Sequence, residues 1–433
     1  MGTEITLDVG GMSLTYNRNS IGIDHGSLFQ ERDRKPIRWP SRDVPDAEID
    51  LLSPFSDSAF VRPLRDVVPR LDLLGFNLER VQREYRSVAE TWWHSFDEAE
   101  PRPSVMTFTD FRQLATKYPI EALDDAYVED EDDQSEARGI QGRFAATAVD
   151  EIPNYRPDEH SAYSERTYFC SLIDILHPYS TMRILAENKE NLDASVVWQY
   201  GPLVEAGWAK EHEFNPCARR AETFLIATEG TSDIHILKHA RKLLRPQVID
   251  FFRFIDVSES HPFPGTGGLV KFAEGLAKID VQNQVLFLFD NDAEGLEAHG
   301  RLEKLALPKN MRGALLPQLT SFRDFPAHGP EGLAKADINH RAAAIECYLD
   351  LNLKGRPPAQ VRWTNYKKDL GLYHGALDYK ETYAKAFLNQ NAESIAAGGY
   401  DFSKIRAVVD YLVATCTEIA LDQWDGSVAV PGY

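Results

Sequence analysis

The sequence predicts an α/β protein with a mostly parallel sheet, preceded by a mixed α+β region and followed by a helical region. Beyond residue 222, short apolar runs such as "TFLIAT" and "QVLFLFD" alternate with amphipathic stretches, a pattern typical of strands and helices in a parallel sheet. These runs are continuously apolar, as expected of strands that are covered on both faces. The first residues alternate between apolar and polar, and the chain after about residue 330 has helical spacing.

The N-terminal region is predicted to begin with a β-hairpin. Ile5, Leu7 and Val9 alternate with polar residues before the pair Gly10-Gly11. Alternation that ends in a glycine turn and then resumes is typical of two antiparallel strands.

Helices are expected to follow this hairpin. Residues 64–93 carry apolar side chains at three- and four-residue spacing, which predicts a helix that Gly75 divides in two. A further helix is expected after Thr107 or Thr109, either of which can cap it. Residues 164–201 also have helical spacing.

The charge of the chain is strongly negative but uneven. The formal net charge is −20 over 433 residues, and the run from Glu121 to Ala137 carries a large share of it. Such a run is typical of a solvated loop, and a surface that mimics nucleic acid is the alternative. The net charge therefore neither supports nor excludes a nucleic-acid partner.

Composition excludes several protein classes. The four cysteines lie far apart with no C-x-x-C pair, which argues against a disulfide scaffold and a zinc knuckle. No apolar run is long enough to cross a bilayer, and the acidic N-terminus does not fit a signal peptide. We expect a cytoplasmic protein with no membrane partner.

Acidic residues follow two of the predicted strands at the point where each strand ends. Glu229 follows the first strand, Asp233 lies one helical turn further on, and Asp290 and Asp292 follow the third strand. Ligands in open α/β sheets gather at the carboxyl ends of strands, so these acids can converge. Converging carboxylates without cysteine or histidine favour Mg²⁺ or Mn²⁺. The alternatives are helix-capping or turn roles.

These motifs resemble the Toprim domain of topoisomerases, bacterial primases and overcoming-lysogenization-defect nucleases. Glu229-Gly230-x-x-Asp233 follows one strand and Asp290-x-Asp292 follows a later one, and Glu294-Gly295 extends the second motif. The resemblance covers about residues 222 to 320. It implies a Toprim fold, which is Rossmann-like, and Glu294 as a further metal ligand, although Glu294 also fits an acid in the first turn of a helix.

The flanking segments extend the resemblance to nearly the whole chain. "EITLDVGGMSL" and "VVPRLDLLGFNLERVQREY" resemble the N-terminal domain that accompanies HEPN or Toprim modules in bacterial conflict systems, and "DINHRAAAIECYLDL" resembles the tail of such proteins. The resulting domain prediction is an N-terminal domain over 1–215, a Toprim catalytic domain over 220–330 and a helical extension over 331–433 that completes the site. The resemblance implies a nuclease used against phage or plasmids.

Two downstream residues are identified by the same resemblance. Glu346 resembles a carboxylate that serves a second metal in related nucleases, and Lys380 resembles a lysine that stabilises charge on the phosphate. A buried ion pair is the alternative for Glu346, and a solvated helix lysine is the alternative for Lys380.

A phosphate-binding role is open for Gly267, Gly268 and Lys271. The glycines precede "LVKF" and can let a phosphate approach the backbone. An ordinary strand–helix turn with a surface lysine explains the same residues.

Two histidine patterns are not interpreted as sites. Arg323 and His328 have the spacing of a HEPN ribonuclease motif, but Pro326 would disrupt the helix that this motif requires. His235 and His239 lie four residues apart on a predicted helix, and no further ligand is near them in the sequence, so we expect surface residues.

The preferred function is a Mg²⁺- or Mn²⁺-dependent endonuclease that cuts DNA or RNA, tRNA included, as an effector of defence against phage or plasmids. In this hypothesis Glu229 binds metal or acts as the general base. The alternative is a non-catalytic nucleic-acid or nucleotide-sensing module of a defence complex. The chain has no G-x-x-x-x-G-K-[ST] loop, so any ATPase or sensor would be a separate partner. A homo-oligomer is left open.

Overall fold

The computed structural model describes residues 3–37, 58–96, 103–128, 139–156, 162–255 and 265–424. Contacts divide the chain into two compact units. The N-terminal unit runs to Ala218 and includes Trp424, and the C-terminal unit comprises Arg219–Gln423. Each unit has its own sheet and its own apolar core. Among the described residues, no helix is both long and apolar enough to span a bilayer.

The N-terminal unit is built on an antiparallel sheet of five strands, in the order β2-β1-β5-β4-β3. Its strands are β1 Glu4–Val9, β2 Met12–Arg18, β3 Arg34–Pro36, β4 Ser58–Pro63 and β5 Ser195–Gln199. The predicted hairpin is confirmed as β1 and β2, which pair antiparallel. Gly10 and Gly11 form its turn with φ angles of 56° and 83°, a backbone conformation that glycine adopts readily.

Helices pack around this sheet, and six of them have both ends within the described residues. They are α1 Leu64–Leu73, α2 Leu78–His94, α3 Phe108–Thr116, α4 Glu165–Ile173, α5 Pro178–Leu185 and α6 Gly201–Glu205. The break at Gly75 is confirmed, and this glycine has a φ of 84°. Thr107 caps α3 by accepting a hydrogen bond from the backbone N–H of Asp110. The acidic run is described only to residue 128, and residues 129–137 of it lie outside the described residues.

The helical prediction for residues 164–201 is wrong at its end. Residues 195–199 form β5, which lies between β1 and β4 in the centre of the sheet. Val196, Val197 and Trp198 are all buried there. β-Branched and aromatic side chains pack well on a pleated sheet, so tertiary pairing overrides the helical spacing at this position.

The C-terminal unit contains the predicted parallel sheet. Its first elements are β6 Phe224–Thr228, α7 Thr231–Leu244, β7 Phe252–Phe254, α8 Gly265–Lys278, β8 Gln284–Phe289, β9 Asn291–Asp292, α9 Ala293–Leu302 and β10 Met311–Leu315. The strand order is β10-β8-β6-β7, and every neighbouring pair is parallel. All residues of β8 are buried, as the continuous apolar run predicts. Since β6 and β8 are neighbours, their carboxyl ends lie at the same edge.

The prediction that the chain is helical from residue 331 is wrong as far as Leu377. This stretch forms β11 Phe325–Gly329, β12 Gly332–Ala336, β13 Ala342–Ala343, β14 Val361–Lys367 and β15 Leu372–Leu377. Four of these strands form a second sheet in the order β12-β11-β14-β15, and β13 pairs with β9. The Asp337 carboxylate accepts a hydrogen bond from the Asn339 backbone N–H, and this turn ends any helix in "DINHRAAA".

The prediction of terminal helices is confirmed beyond this sheet. The helices are α10 Lys380–Leu388, α11 Ala392–Ala397 and α12 Ser403–Asp422. α12 packs against α7, β8 and β10. It therefore covers one face of the parallel sheet, while α8 and α9 pack on the cluster that contains Val285, Phe287 and Phe289 on the other.

Candidate active site

The predicted acids meet at the carboxyl edge of the parallel sheet. Glu229 directly follows β6 and Asp290 directly follows β8. The backbone N–H of Asp290 donates a hydrogen bond to Oε1 of Glu229 over 3.2 Å. The two strand ends are thus joined through one of the predicted carboxylates.

Asp233 lies in the first turn of α7. Its Oδ2 atom accepts a hydrogen bond from the backbone N–H of Gly230 over 3.0 Å, and its Oδ1 atom accepts one from Ser232 Oγ over 3.2 Å. The residue is only 9% exposed. These bonds hold the carboxylate beside the start of the helix, next to the acids of the neighbouring strand.

Asp292 caps helix α9. Its Oδ1 atom accepts hydrogen bonds from the backbone N–H groups of Glu294 and Gly295 over 2.9 and 2.7 Å. The capping role considered from the sequence is therefore present, and Oδ2 remains for other partners. Gly295 is required because a Cβ atom there would lie 2.1 Å from the Asp290 carbonyl oxygen. This close approach explains the glycine that follows Glu294.

The residue between the two aspartates holds the loop in place. Asn291 is fully buried, and its side-chain amide donates to Asn339 Oδ1 and Tyr348 Oη. Its Oδ1 atom accepts from the His340 backbone N–H over 2.8 Å. Asn291 therefore positions the aspartates on either side of it.

Glu346 also lies at this site, although not on the helix that was expected. It belongs to a short 3₁₀ segment, Ile345–Tyr348, whose first backbone N–H donates to Asp290 Oδ1 over 3.0 Å. Glu346 is 4% exposed, and no described residue donates a hydrogen bond to its carboxylate. A buried carboxylate without a donor is costly unless a cation meets it.

The acids repel one another. Burial, followed by the charge of Asp292, raises the pKa of Glu229 to about 8. Burial and the charge of Glu346 raise the pKa of Asp233 to about 6, against which Lys380 acts weakly. Burial and the neighbouring carboxylates, Asp233 first, raise the pKa of Asp290 well above its usual range. A cation bound beside a group of acids with such pKa values would reduce their mutual repulsion.

The chemistry of this donor set fits a hard divalent cation. All of the converging side chains offer carboxylate oxygens, which Mg²⁺ and Mn²⁺ prefer. In their present positions, no three Asp, Glu, His or Cys side chains of the described residues are arranged tightly enough to hold an ion.

Glu294 is turned away from the centre of the cluster. Its carboxylate lies 3.6 Å from Lys367 Nζ, and its side chain is 46% exposed. It still raises the pKa values of Glu229 and Asp292 by its charge. The geometry thus favours its interpretation as an acid in the first turn of α9.

The predicted phosphate-binding residues lie on α8 rather than in a turn before it. Gly267 and Gly268 belong to the first turns of this helix, and Lys271 is exposed on it. The helix begins beside the acids, since the backbone N–H of Gly265 donates to the Glu229 carbonyl oxygen over 3.4 Å. Lys380 is the exposed first residue of α10.

Two basic residues near the site, His374 and Lys367, were missed in the sequence. His374 Nδ1 lies 3.8 Å from Asp292 Oδ2 and, though buried, has no hydrogen-bond partner among the described residues. Lys367 Nζ lies 3.3 Å from Glu297. Both belong to the hairpin β14–β15, which was not predicted. The sequence feature that could have revealed them is the basic and aromatic composition of "VRWTNYKKDLGLYH".

The histidine patterns have structural explanations. Arg323 follows a single 3₁₀ turn and His328 lies on β11, so the two residues do not share a helix. His239 Nε2 contacts the Gln390 carbonyl oxygen over 2.9 Å, and its ring packs edge-on against Phe387. His235 is exposed, as predicted, whereas His239 is half-buried.

Comparison with known proteins identifies the N-terminal part of the chain. The model of the family HEPN/Toprim N-terminal domain 1 matches residues 1–222, more than half of the 433 residues. The chain belongs to this family. The HEPN/Toprim name associates this N-terminal domain with nuclease-related proteins. No curated protein and no solved structure is significantly similar to the chain.

Proposed function

We propose that this HEPN/Toprim family member is a Mg²⁺- or Mn²⁺-dependent endonuclease of the Toprim type, acting on DNA or RNA in defence against phage or plasmids. The observation that carries the proposal is the meeting of Glu229, Asp233, Asp290 and Asp292 at one sheet edge, each with a raised pKa. Such perturbed groups cluster at functional sites. Membership of the HEPN/Toprim family supports the same class of activity.

The cation would be held by Glu229, Asp290 and Asp292, with Asp233 and Glu346 beside them. A divalent ion would supply charge neutralisation at the scissile phosphate and would acidify a water molecule. Asn291 keeps the aspartates in register through three side-chain hydrogen bonds. This support matters because the geometry of a metal site depends on the residues that orient its ligands.

The other residues act on the proton and on the phosphate. Glu229, joined to the end of β8 through the Asp290 backbone N–H, would bind the metal or act as the general base on the attacking water. Lys380, which acts on Asp233 through its charge, would stabilise negative charge on the phosphate. The helix that begins beside Glu229 would provide further phosphate contacts, from Gly267, Gly268 and Lys271.

The test is a cleavage assay on supercoiled plasmid, linear DNA and total tRNA, with Mg²⁺, Mn²⁺ or EDTA. Cleavage is expected with metal and is expected to vanish in EDTA. Asp290→Asn keeps the acceptor for the Ile345 backbone N–H and removes the charge, so the rate is expected to fall by about 100-fold or more. Asp324→Asn, at an exposed pair with Lys335, is the matched control and should retain full activity.

Three results would count against this proposal. If cleavage persists in EDTA, or if Asp290→Asn is as active as Asp324→Asn, the metal site takes no part in the reaction. Metal binding by calorimetry without cleavage of any substrate, even with separate partner proteins added, would support the nucleic-acid or nucleotide-sensing module instead.

A further inference from the structure

Hairpin β14–β15 presents three aromatic rings on one face. Tyr366 pairs with Tyr373 and Trp363 pairs with Gly375 across the strands, and alternation along β15 places both pairs on the same face. The ring centroids of Tyr366 and Tyr373 are 5.0 Å apart, and those of Trp363 and Tyr373 are 6.1 Å apart. The three rings therefore form one continuous aromatic strip.

The aromatic strip is open to solvent, and its neighbouring rings are tilted to one another by 40° and 62°. A Cβ atom on Gly375 would lie 2.7 Å from the Trp363 ring, and one on Gly329 would lie 3.0 Å from it, so the indole lies against two glycines of neighbouring strands. Tyr366 and Tyr373 are 51% and 45% exposed. Cross-strand packing of these rings stabilises the hairpin, and it leaves the outer faces of the two tyrosines uncovered.

The segment that carries the strip is basic within an acidic chain. Residues 351–377 contain five Lys or Arg residues and one acid, Asp369, although the whole chain has a net charge of −20. The five cations are Lys354, Arg356, Arg362, Lys367 and Lys368. Lys354, Arg356 and Lys368 are exposed and form no ion pair within the described part of the chain. These three charges are available to a polyanion.

The opposite face of the same hairpin adjoins the carboxylates. His374 is offset by one residue from Tyr373 and lies 3.8 Å from Asp292. Lys367, next to Tyr366, lies 3.6 Å from Glu294. The hairpin therefore connects the aromatic strip to the candidate active site across the thickness of one β-ribbon.

From this arrangement we propose that the aromatic strip binds the unpaired bases of a single-stranded nucleic acid, which makes single-stranded segments the substrate of the site. The inference rests on the proposed nuclease function. In proteins that bind single strands, bases stack on exposed aromatic rings and cations near the rings contact the phosphates. A duplex keeps its bases stacked on one another, so it cannot use the strip.

Binding is tested by fluorescence anisotropy in EDTA, where no cleavage occurs, with a labelled single strand of about 15 nucleotides and a duplex of equal length. The single strand is expected to bind more tightly than the duplex. Tyr366→Ala and Tyr373→Ala should each raise the Kd for the single strand about tenfold, while Tyr366→Phe should stay within about twofold.

Tyr127→Ala provides the matched control. Tyr127 is also an exposed tyrosine, 60% accessible, and its ring stacks on Tyr163 at 6.1 Å. It lies within the acidic run rather than in a basic segment, so this variant should bind the single strand as the wild type does. Circular dichroism of each variant checks that the fold is retained.

The outcomes separate this inference from the nuclease proposal. If single-strand binding depends on Tyr366 and Tyr373 but no substrate is cleaved in Mg²⁺, binding by the strip is supported and the nuclease proposal is contradicted. The reverse outcome is that the protein cleaves but binds duplex and single strand with equal affinity, or that both alanine variants keep the wild-type affinity. Either result would contradict single-strand binding by the strip and leave the nuclease proposal intact.

Discussion

A buried arginine of the N-terminal unit has its partners within the fold, whereas a buried glutamate of the C-terminal unit has no hydrogen-bond donor among the described residues. Arg70 is fully buried, and its guanidinium donates to the carbonyl oxygens of Ser27 and Phe29 over 2.7 and 3.0 Å. Glu346, 4% exposed, accepts no hydrogen bond from any described residue. Its nearest charged neighbours include Asp233 and Asp290, whose pKa values it raises.

The difference is between a buried charge that the fold itself stabilises and one that it leaves beside like charges. In the N-terminal unit the fold supplies the partners of the charge, so nothing else is needed to stabilise it. In the C-terminal unit the fold brings like charges together, and under the proposed function a cation from outside the chain would offset them. Sites that need a ligand are commonly destabilised in its absence. The following predictions test this contrast, from the largest expected effect to the smallest.

Removing the buried arginine should destabilise the protein most. Arg70→Ala leaves two buried carbonyl oxygens without donors, at about 1–3 kcal/mol each, so the free energy of unfolding should fall by about 3 kcal/mol or more. Arg65→Ala is the control on the same helix, since Arg65 pairs with Asp193 at the surface and should cost less than about 1 kcal/mol. Urea unfolding followed by circular dichroism measures both, and equal losses would contradict the structural role.

Acid should weaken the N-terminal unit. Burial lowers the pKa of His25 to about 3 and that of His177 to about 4. Because the unfolded chain is protonated first at these histidines, their contribution to stability is constant above about pH 6.5 and falls below it, by about 1.4 kcal/mol per pH unit for each histidine. The raised pKa values of the buried carboxyls Asp8, Asp72 and Glu84 act in the opposite direction at lower pH. His25→Gln should reduce this slope, since one of the two titrating groups is then absent.

The metal-free C-terminal unit should respond in the opposite direction. Glu229 and Asp233 have folded pKa values raised to about 8 and about 6. The folded state therefore binds their protons first, and stability rises as the pH falls from about 8 towards the unfolded values near 4. Hydrogen exchange of peptides from each unit, corrected for intrinsic rates, measures both trends, and parallel trends in the two units would break the comparison.

Neutralising one acid should stabilise the C-terminal unit slightly while it abolishes activity. Asp290→Asn removes one of the repelling charges, so the metal-free protein should gain about 0.5–2 kcal/mol. Thermal melting with and without Mg²⁺ measures this, and added Mg²⁺ should raise the Tm of the wild type more than that of the variant. A variant that melts below the wild type in EDTA would show that Asp290 has a structural role.

The central sheet edge could be predicted because its signals are local. "FLIAT" and "VLFLF" are continuously apolar, and each is followed at once by acid, so Glu229 and Asp290 could be assigned to neighbouring strand ends before any contact was known. Asp233 followed from helical spacing alone. In each case the strand, the turn and the helix that place the residue lie within a few positions of it.

The rest depended on contacts between distant segments. β5 consists of five residues whose partners, β1 and β4, end before residue 64. His374 and Lys367 reach the acids only because β14 and β15 pair beside α9. Glu346 was placed by resemblance, and its 3₁₀ segment has apolar neighbours that also fit a helix. Short apolar stretches do not reveal their period, so strand and helix cannot be separated there.

The central position of β5 has a consequence for synthesis of the chain. β1 and β2 form one ribbon and β3 and β4 form another, and each ribbon has an edge that only β5 covers. The ribosome makes α1 to α5 before it reaches residue 195, so both edges remain open throughout that interval. Open edges favour pairing with other chains. The N-terminal unit is therefore a late-closing sheet of high contact order, and a nascent chain stopped before Ser195 would be prone to aggregate.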